Sequence, residues 1–271
     1  MKPSLSVVIP TFKEVDNIRK LIPRLVQAFE KVNACEKPSS FEIIIVDDNS
    51  KDGIEEVVKS FKNRSIPVSL FVRENERGLS SAVIHGMIMS LNDVCLVMDA
   101  DFQHPPDIVP KIYLPFLARN IVFVSGRRKT NKLWPFYRRV ISSLASAMAF
   151  PLTGHVCHDP MTGLFAVSRT VMIAHLSKIN ALGFKIALEI LVKCDIAKRQ
   201  SAEIEYQFGI RSAGASKLDQ KVIFAYILQL CNLYLFKLKR ALQVLFILVG
   251  ALWMKICKVV RNMTCTSCLF V

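Results

Sequence analysis

Four short apolar runs, at residues 5–9, 41–46, 68–72 and 94–98, punctuate the first hundred positions, each rich in β-branched or large aliphatic side chains. Between the first two, Ile18, Leu21, Ile22, Leu25, Val26 and Phe29 recur at spacings of three and four. That period predicts a helix with one buried face. Pro23 falls inside it as a kink or a restart point. Strand patterns alternating with helical ones predict β-α-β units and a mostly parallel sheet over residues 4–101. From 127 to 217 the pattern is less regular, with helices expected near 136–149 and 184–194 and a short strand near 202–208. The chain carries no internal repeat and no low-complexity tract.

Near the C-terminus, residues 241–254 are uncharged, and a snorkelling Lys255 extends the apolar run to about Val260. That approaches the roughly 20 residues needed to cross a bilayer. The expected organisation is a main domain at 1–218, an amphipathic helical linker at 219–240, a transmembrane or membrane-anchoring helix at 241–260 and a tail at 261–271. A buried C-terminal helix is the alternative. Basic residues flank the run on both sides, at Lys237, Lys239, Arg240, Lys255, Lys258 and Arg261, so charge does not fix an orientation. Residues 134–152 mix aromatic, basic and apolar positions and suit a segment lying at a membrane interface.

Composition agrees with membrane contact: 52% of the 271 residues are hydrophobic and the mean hydropathy is +0.34. Thirty-six Lys and Arg against 22 Asp and Glu leave a formal charge of +14, which favours an anionic partner. The start of the chain shows no stretch of signal-peptide length, so the main domain is expected on the cytoplasmic side. Eight cysteines at scattered positions, such as Cys95, Cys194 and Cys231, suit a reducing compartment. Cys265 and Cys268 form a single C-x-x-C with no second ligand pair.

The candidate chemistry clusters where the apolar runs end, which is where an open α/β sheet opens its ligand crevice. Asp99 and Asp101, one residue apart after the fourth run, suit a divalent ion shared with substrate phosphates. Gln103 is positioned to add a carbonyl oxygen. Asp47, Asp48 and Ser50 follow the second run, and Asp48 is a candidate acceptor for a base or ribose. His104, His155 and His158 read as packing residues rather than ligands, and Glu189 by itself reads as an ordinary helix carboxylate.

Seven segments, SVVIPTFKEVDNI, IIIVDDNSKDG, RENERGLSSAVIHGM, VMDADFQHPPDIVP, DPMTGLFAVSR, GFKIALEILVK and FGIRSAGASKL, occur in that order. Together they resemble glycosyltransferase family 2, in particular its dolichol-phosphate mannose synthases and polyprenol-phosphate relatives, over about residues 4–218. The resemblance implies a GT-A fold, a Rossmann-like α/β sheet flanked by helices. It also implies inverting, metal-dependent transfer of mannose from GDP-mannose to a polyprenyl phosphate lipid. Carried over residue by residue, Pro10, Phe12, Glu14, Val46 and Asp48 match positions that hold the donor nucleotide. Asp99, Asp101 and Gln103 match the Mg²⁺ or Mn²⁺ and diphosphate site. Arg127, Arg138 and Ser142 match ligands of the lipid phosphate, and Arg211 with Lys217 matches a further phosphate-binding motif. Asp101, Arg127 and Arg211 are the expected catalytic groups.

Phe12 and Lys13 stand where the family usually carries Tyr and Asn, and Ser125, Gly126, Arg127 replaces the usual Gly-Ser-Arg order. Expected partners are a nucleotide sugar, the lipid and a membrane, with room for small anchor subunits and no nucleic acid. The membrane would be that of the endoplasmic reticulum in a eukaryote or the plasma membrane in a prokaryote. Two other readings stay open on these residues: another donor such as UDP-glucose, and a basic membrane or nucleic-acid scaffold with an inactive transferase fold.

Overall fold

The structure, a computed structural model, describes residues 1–61, 66–129, 136–154, 156–181, 183–209 and 220–266, except the side chains of 136–139, 220–222 and 256–266. Its contacts divide the chain into two units, Met1–Leu230 and Cys231–Val271.

The first unit is built on a seven-stranded sheet of order β3-β2-β1-β4-β6-β5-β7. The strands are β1 (Leu5–Thr11), β2 (Phe41–Asp47), β3 (Val68–Val72), β4 (Val94–Val97), β5 (Phe123–Lys129), β6 (Phe165–Ser168) and β7 (Ser201–Gln207). All neighbours run parallel except β6, which is antiparallel to both β4 and β5. The four strands expected from the apolar runs are all present. Strands β5 and β6 lie in the stretch whose pattern is irregular, because one ends in charge at Arg127, Arg128 and Lys129 and the other is four residues long.

Both faces of the sheet are covered, so the central strands read as continuous apolar runs instead of alternating ones. On one face Val7, Ile9, Ile43, Ile45 and Leu96 pack with Ile18, Leu21, Ile22 and Leu25 of α1 (Val15–Glu30) and with residues of α2 (Ile54–Lys59) and α4 (Val109–Tyr113). On the other, Val8, Ile44, Val46, Cys95 and Val97 meet Ala82, Val83 and Met87 of α3 (Leu79–Met89) and Ile190 and Leu191 of α7 (Ile186–Lys193). The α1 helix runs unbroken through Pro23, which is solvent-exposed. Water on that side can satisfy the carbonyl that loses its intrahelical donor.

Two further helices, α5 (Phe136–Thr153) and α6 (Arg169–Ala174), precede and follow β6. The start of α8 (Gln220–Thr266) closes the first unit, where the Tyr226 hydroxyl donates to the Ala145 carbonyl of α5 at 2.6 Å. Cys95, Cys157 and Cys194 are buried as small apolar groups, and burial pushes their thiols up to about 11, 12 and 12.

In its described part the second unit is the continuation of α8. Its large apolar side chains project into solvent, Phe246 at 81% and Trp253 at 67% exposure. Among the described residues no helix is long and apolar enough to cross a membrane. The side chains of 256–260, the end of the expected transmembrane or membrane-anchoring helix at 241–260, lie outside the described residues. The uncharged stretch is only residues 241–254, about 21 Å at 1.5 Å per residue against a hydrocarbon core of about 30 Å. Basic residues at Lys239, Arg240 and Lys255 close it on both sides.

Gly86 carries the closest approach of α3 to the sheet: a Cβ there would lie 2.4 Å from Val8 Cγ1 and 3.0 Å from Val46 Cγ2. Gly86→Ala is expected to destabilise the fold by about 1–3 kcal/mol through overpacking. Gly250→Ala, with nothing within 4 Å of its would-be Cβ, should leave stability unchanged or raise it by up to about 1 kcal/mol. Chemical denaturation of the two variants checks the contrast.

Candidate active site

Strand β1 lies between β2 and β4, and the chain moves one way from it to β2 and β3 and the other way to β4. The connections therefore part at the carboxyl end of β1 and leave a crevice there. Three loops rim it: residues 12–14 after β1, 48–53 after β2 and 98–104 after β4. Pro10 and Val46, partners in the β1–β2 register, are buried beneath the rim and form its floor.

Side chains tie the first two loops together. Lys13 N–H donates to Ser50 Oγ at 2.7 Å, and Ser50 in turn donates its hydroxyl and its N–H to the buried Asp47 carboxylate. Asp52 Oδ2 accepts the Val15 N–H at 3.1 Å and so caps the start of α1 from the neighbouring loop. Lys13, Asn49 and Lys51 all sit at positive φ, the strained backbone of a tightly turned rim. Residues 13–17 and 50–52 enclose a cavity of about 400 Å³. Beside it, the Phe12 ring lies 5.6 Å from the Lys13 ammonium and 5.2 Å from the Arg77 guanidinium. Replacing the usual tyrosine thus leaves a ring between two cations.

Asp48 is held from two sides. Arg73, itself buried, donates through Nε at 2.8 Å and through Nη2 to Oδ1, while Gly78 N–H reaches Oδ2 at 2.8 Å. Arg73 also binds Ser81 Oγ at 2.8 Å and the Gly78 carbonyl at 3.0 Å. The expected base or ribose acceptor is therefore a carboxylate locked in place by β3 and the loop before α3. Nothing in the local pattern around Arg73 distinguishes it from a surface charge, and the sequence reading passed over it.

At the end of β4, Asp101 is buried and accepts the Gln103 N–H at 3.0 Å, with Phe102 at φ +63 turning the chain. The Gln103 carbonyl accepts the Gly209 N–H at 2.9 Å, and a Cβ on Gly209 would stand 2.6 Å from the Phe102 oxygen. The glycine after β7 is what lets that segment lie on the carboxylate turn. Nδ1 of buried His104 accepts the Asp99 N–H at 3.0 Å and lies 3.8 Å from Asp99 Oδ2. His104 packs edge-on to Tyr206 and Phe208, and burial lowers its pKa to about 4. It is a neutral packing residue that pins the Asp99 main chain.

Asp99 and Asp101 offer hard oxygen donors, but among the described residues no group of three or more His, Cys, Asp and Glu gathers to hold an ion unaided. A pair of carboxylates fits Mg²⁺ or Mn²⁺ completed by water and substrate phosphates.

Beyond the carboxylates, β5 presents two arginines to opposite faces of the sheet. Arg127, expected as a phosphate ligand, stands in register with Glu205 and pairs with it at 3.3 Å, about half exposed. Arg128, on the face of its register partner Tyr206, grips Asp159 through two bonds of 2.7 and 2.9 Å and stacks 5.6 Å over Phe208. Against the lowering effect of burial, the bonds to Asp159 and its charge, with smaller contributions from Tyr206 and Asp99, raise the Arg128 pKa above its ordinary value. Lys185, just before α7, donates to the Met161 carbonyl at 3.1 Å. Arg128, Asp159 and Lys185 were not among the sequence-derived candidates. Strand alternation could have flagged that Arg127 and Arg128 point apart, but not which one meets the crevice.

Glu189 forms a buried pair with Lys193 at 2.6 Å and accepts the Asn180 N–H at 3.0 Å, so it supports the segment leading to Lys185. His158 is exposed and bound to Glu203. Ser142 is partly exposed on α5, one turn from Arg138. The Arg138 side chain, His155, Arg211 and Lys217 lie outside the described residues, as do the side chains of Cys265 and Cys268.

A switch-point crevice in a mostly parallel sheet, with paired carboxylates on one rim and ordered turns on the other, is the arrangement of a GT-A sugar-nucleotide transferase. The chain belongs to glycosyl transferase family 2, whose family model matches residues 6–176; it is a glycosyltransferase. A dolichol-phosphate mannosyltransferase of Mycosarcoma maydis is 43% identical over 87% of this chain and 80% of its own. One from Saccharomyces cerevisiae is 40% identical over 91% and 93%, and one from Pyrococcus furiosus is 37% identical over 82% and 61%. Among solved structures, glucosyl-3-phosphoglycerate synthase of Mycobacterium tuberculosis shares the fold. Its complex with Mn²⁺ and UDP-glucose superposes with a TM-score of 0.61 at 21% identity, over 84% of this chain and 79% of that one.

The His104 shift fixes a pH dependence. Its folded pKa lies below the ordinary value of 6.5, so the unfolded chain takes up the proton first and stability falls as pH drops from about 6.5 to about 4. The full loss is about 3 kcal/mol. In EDTA-treated protein, urea titrations at pH 7 and pH 4.5 should show this loss in the wild type and a smaller one in His104→Asn.

Proposed function

We propose that this glycosyltransferase transfers mannose from GDP-mannose to the phosphate of a dolichol-type polyprenol, inverting the anomeric carbon. The observation that carries the reading is the 43% identity, over four-fifths of its length, to a protein named dolichol-phosphate mannosyltransferase. The carboxylate pair at the end of β4 supports it.

The acceptor is a phosphate monoester with a second pKa near about 6, so at neutral pH it is largely a dianion and a competent nucleophile without a general base. One of its oxygens attacks the anomeric carbon, a new C–O bond forms there, and the bond to the donor diphosphate breaks, releasing GDP. A single displacement of this kind inverts configuration. No side chain need be acylated or glycosylated on the way.

What the chain must supply is position and charge. Phe12, Glu14 and Asp48 hold the nucleoside over the floor of Pro10 and Val46, with Asp48 aimed by Arg73. Asp99 and Asp101, with Gln103, hold a divalent ion and the donor diphosphate. When bound, that ion supplies Lewis-acid neutralisation of the leaving diphosphate. Mn²⁺ in crystals of the mycobacterial synthase favours such an ion. Arg127, Arg138 and Ser142 receive the lipid phosphate, and Arg211 and Lys217 complete the cationic lining, arginine forks suiting phosphate oxygens.

The reaction is placed at the cytoplasmic face of a membrane. Exposed Val140, Ile141, Leu144 and Met148 on α5, and the exposed apolar side chains between 242 and 254 on α8, support contact with lipid. Small anchor subunits remain compatible partners.

Membrane-bound protein incubated with labelled GDP-mannose, dolichyl phosphate and Mn²⁺ should move label into organic-extractable lipid, and EDTA should stop it. Asp101→Asn, which keeps an oxygen to accept the Gln103 N–H, should lower kcat by at least about 10²-fold with an unfolding curve close to that of the wild type. Transfer from UDP-glucose but not from GDP-mannose would replace the donor assignment.

A further inference from the structure

The geometry points to Lys185, together with Arg128, as a cationic subsite that receives a phosphoryl group beside Asp99 and Asp101. This rests on the reading of the two carboxylates as a phosphate and metal site, and it adds a ligand that the sequence motifs did not assign.

Three features make the Lys185 ammonium expensive where it stands. Its nearest partner is a neutral carbonyl, Met161 at 3.1 Å, and among the described residues no carboxylate lies within 4.0 Å of it. Of the two carboxylates whose charge reaches it, Asp99 and Asp159, Asp159 is committed to two bonds with Arg128. Lys185 also sits at the N-terminal end of α7, where the helix dipole disfavours a cation. Burial and then the charge of Arg128 push its pKa down, against the smaller opposing pull of Asp99 and then Asp159. A desolvated charge without a counter-ion is normally removed or paired. Here the lysine is held in place.

The holding is explicit in the main chain. Gln229 of α8 donates to the Lys185 carbonyl at 3.1 Å, and Ser80 of α3 donates to the Gly183 carbonyl at 2.8 Å. Gly183, at φ +72, could not take a side chain, since a Cβ would meet Gln229 Oε1 at 2.8 Å. A segment fixed from two helices presents a strained cation to the same pocket of charge that contains Asp99, Arg128 and Asp159. The missing counter-ion is supplied by a ligand. A compact ammonium with donors to spare suits a phosphoryl oxygen, either from a nucleoside diphosphate or from the phosphate monoester of a lipid.

Titration calorimetry of the full chain in detergent, with Mn²⁺ present, tests this with three probes: inorganic pyrophosphate, GDP and a short-chain polyprenyl phosphate. Lys185→Met should fold with thermal stability equal to or above that of the wild type, because it relieves an uncompensated charge. It should bind at least one phosphoryl probe about tenfold more weakly, and Lys185→Arg should recover part of that affinity. Loss confined to pyrophosphate and GDP assigns the subsite to the donor; loss confined to the polyprenyl phosphate assigns it to the acceptor. If all three probes bind Lys185→Met within twofold of the wild type, or if that variant is less stable, Lys185 is a structural residue and the inference falls. Wild-type binding of pyrophosphate without GDP would overturn the donor reading alone, leaving Lys185 to be judged on pyrophosphate.

Discussion

Everything in the catalytic unit depends on the position of β1 between two parallel neighbours. Parallel pairing forces each connection to cross back over the sheet: the crossover from β1 leads to β2 on one side, and the one from β3 returns past β1 to β4 on the other. The loops after β1, β2 and β4 therefore part at one edge instead of packing on one another. The same arrangement buries β1 on both faces, so its residues are fixed by Val7, Ile9 and their α1 partners on one side and by Val8 against Gly86 on the other. A rigid floor beneath a divided rim is what lets short loops hold carboxylates at set positions.

Charge in the first unit falls into two kinds. Asp48 with Arg73, Asp159 with Arg128, and Glu189 with Lys193 are buried or partly buried pairs with satisfied geometry. Such pairs add little net stability but are strongly destabilising when broken, so they fix where their segments lie. Lys185 is of the other kind, a buried amine that among the described residues has no carboxylate within 4.0 Å and donates to the Met161 carbonyl.

The C-terminal unit poses a different physical problem. A helix showing Leu242, Phe246, Ile247 and Trp253 to solvent leaves a large apolar surface uncovered, and monomeric proteins seldom expose that much. Its short uncharged stretch and basic flanks suit a helix lying against lipid headgroups, where lysine and arginine meet phosphates while the apolar side chains sink inward.

The sequence by itself determined the parallel β-α-β frame, since β-branched runs and the three-four period of α1 are local signals that burial on both faces reinforces. It also located Asp48, Asp99 and Asp101, because strand ends in such a sheet converge on one crevice. Only the tertiary structure decided the partners. Arg73 reaches Asp48 from 25 residues away and Gly209 meets Phe102 from more than a hundred, separations over which no periodicity operates. That Arg127 stands opposite Glu205 and Arg128 opposite Tyr206 is also a matter of pairing register. The helix over 241–254 likewise kept its predicted apolar character, while its length against a bilayer is set by the membrane and not by the residues.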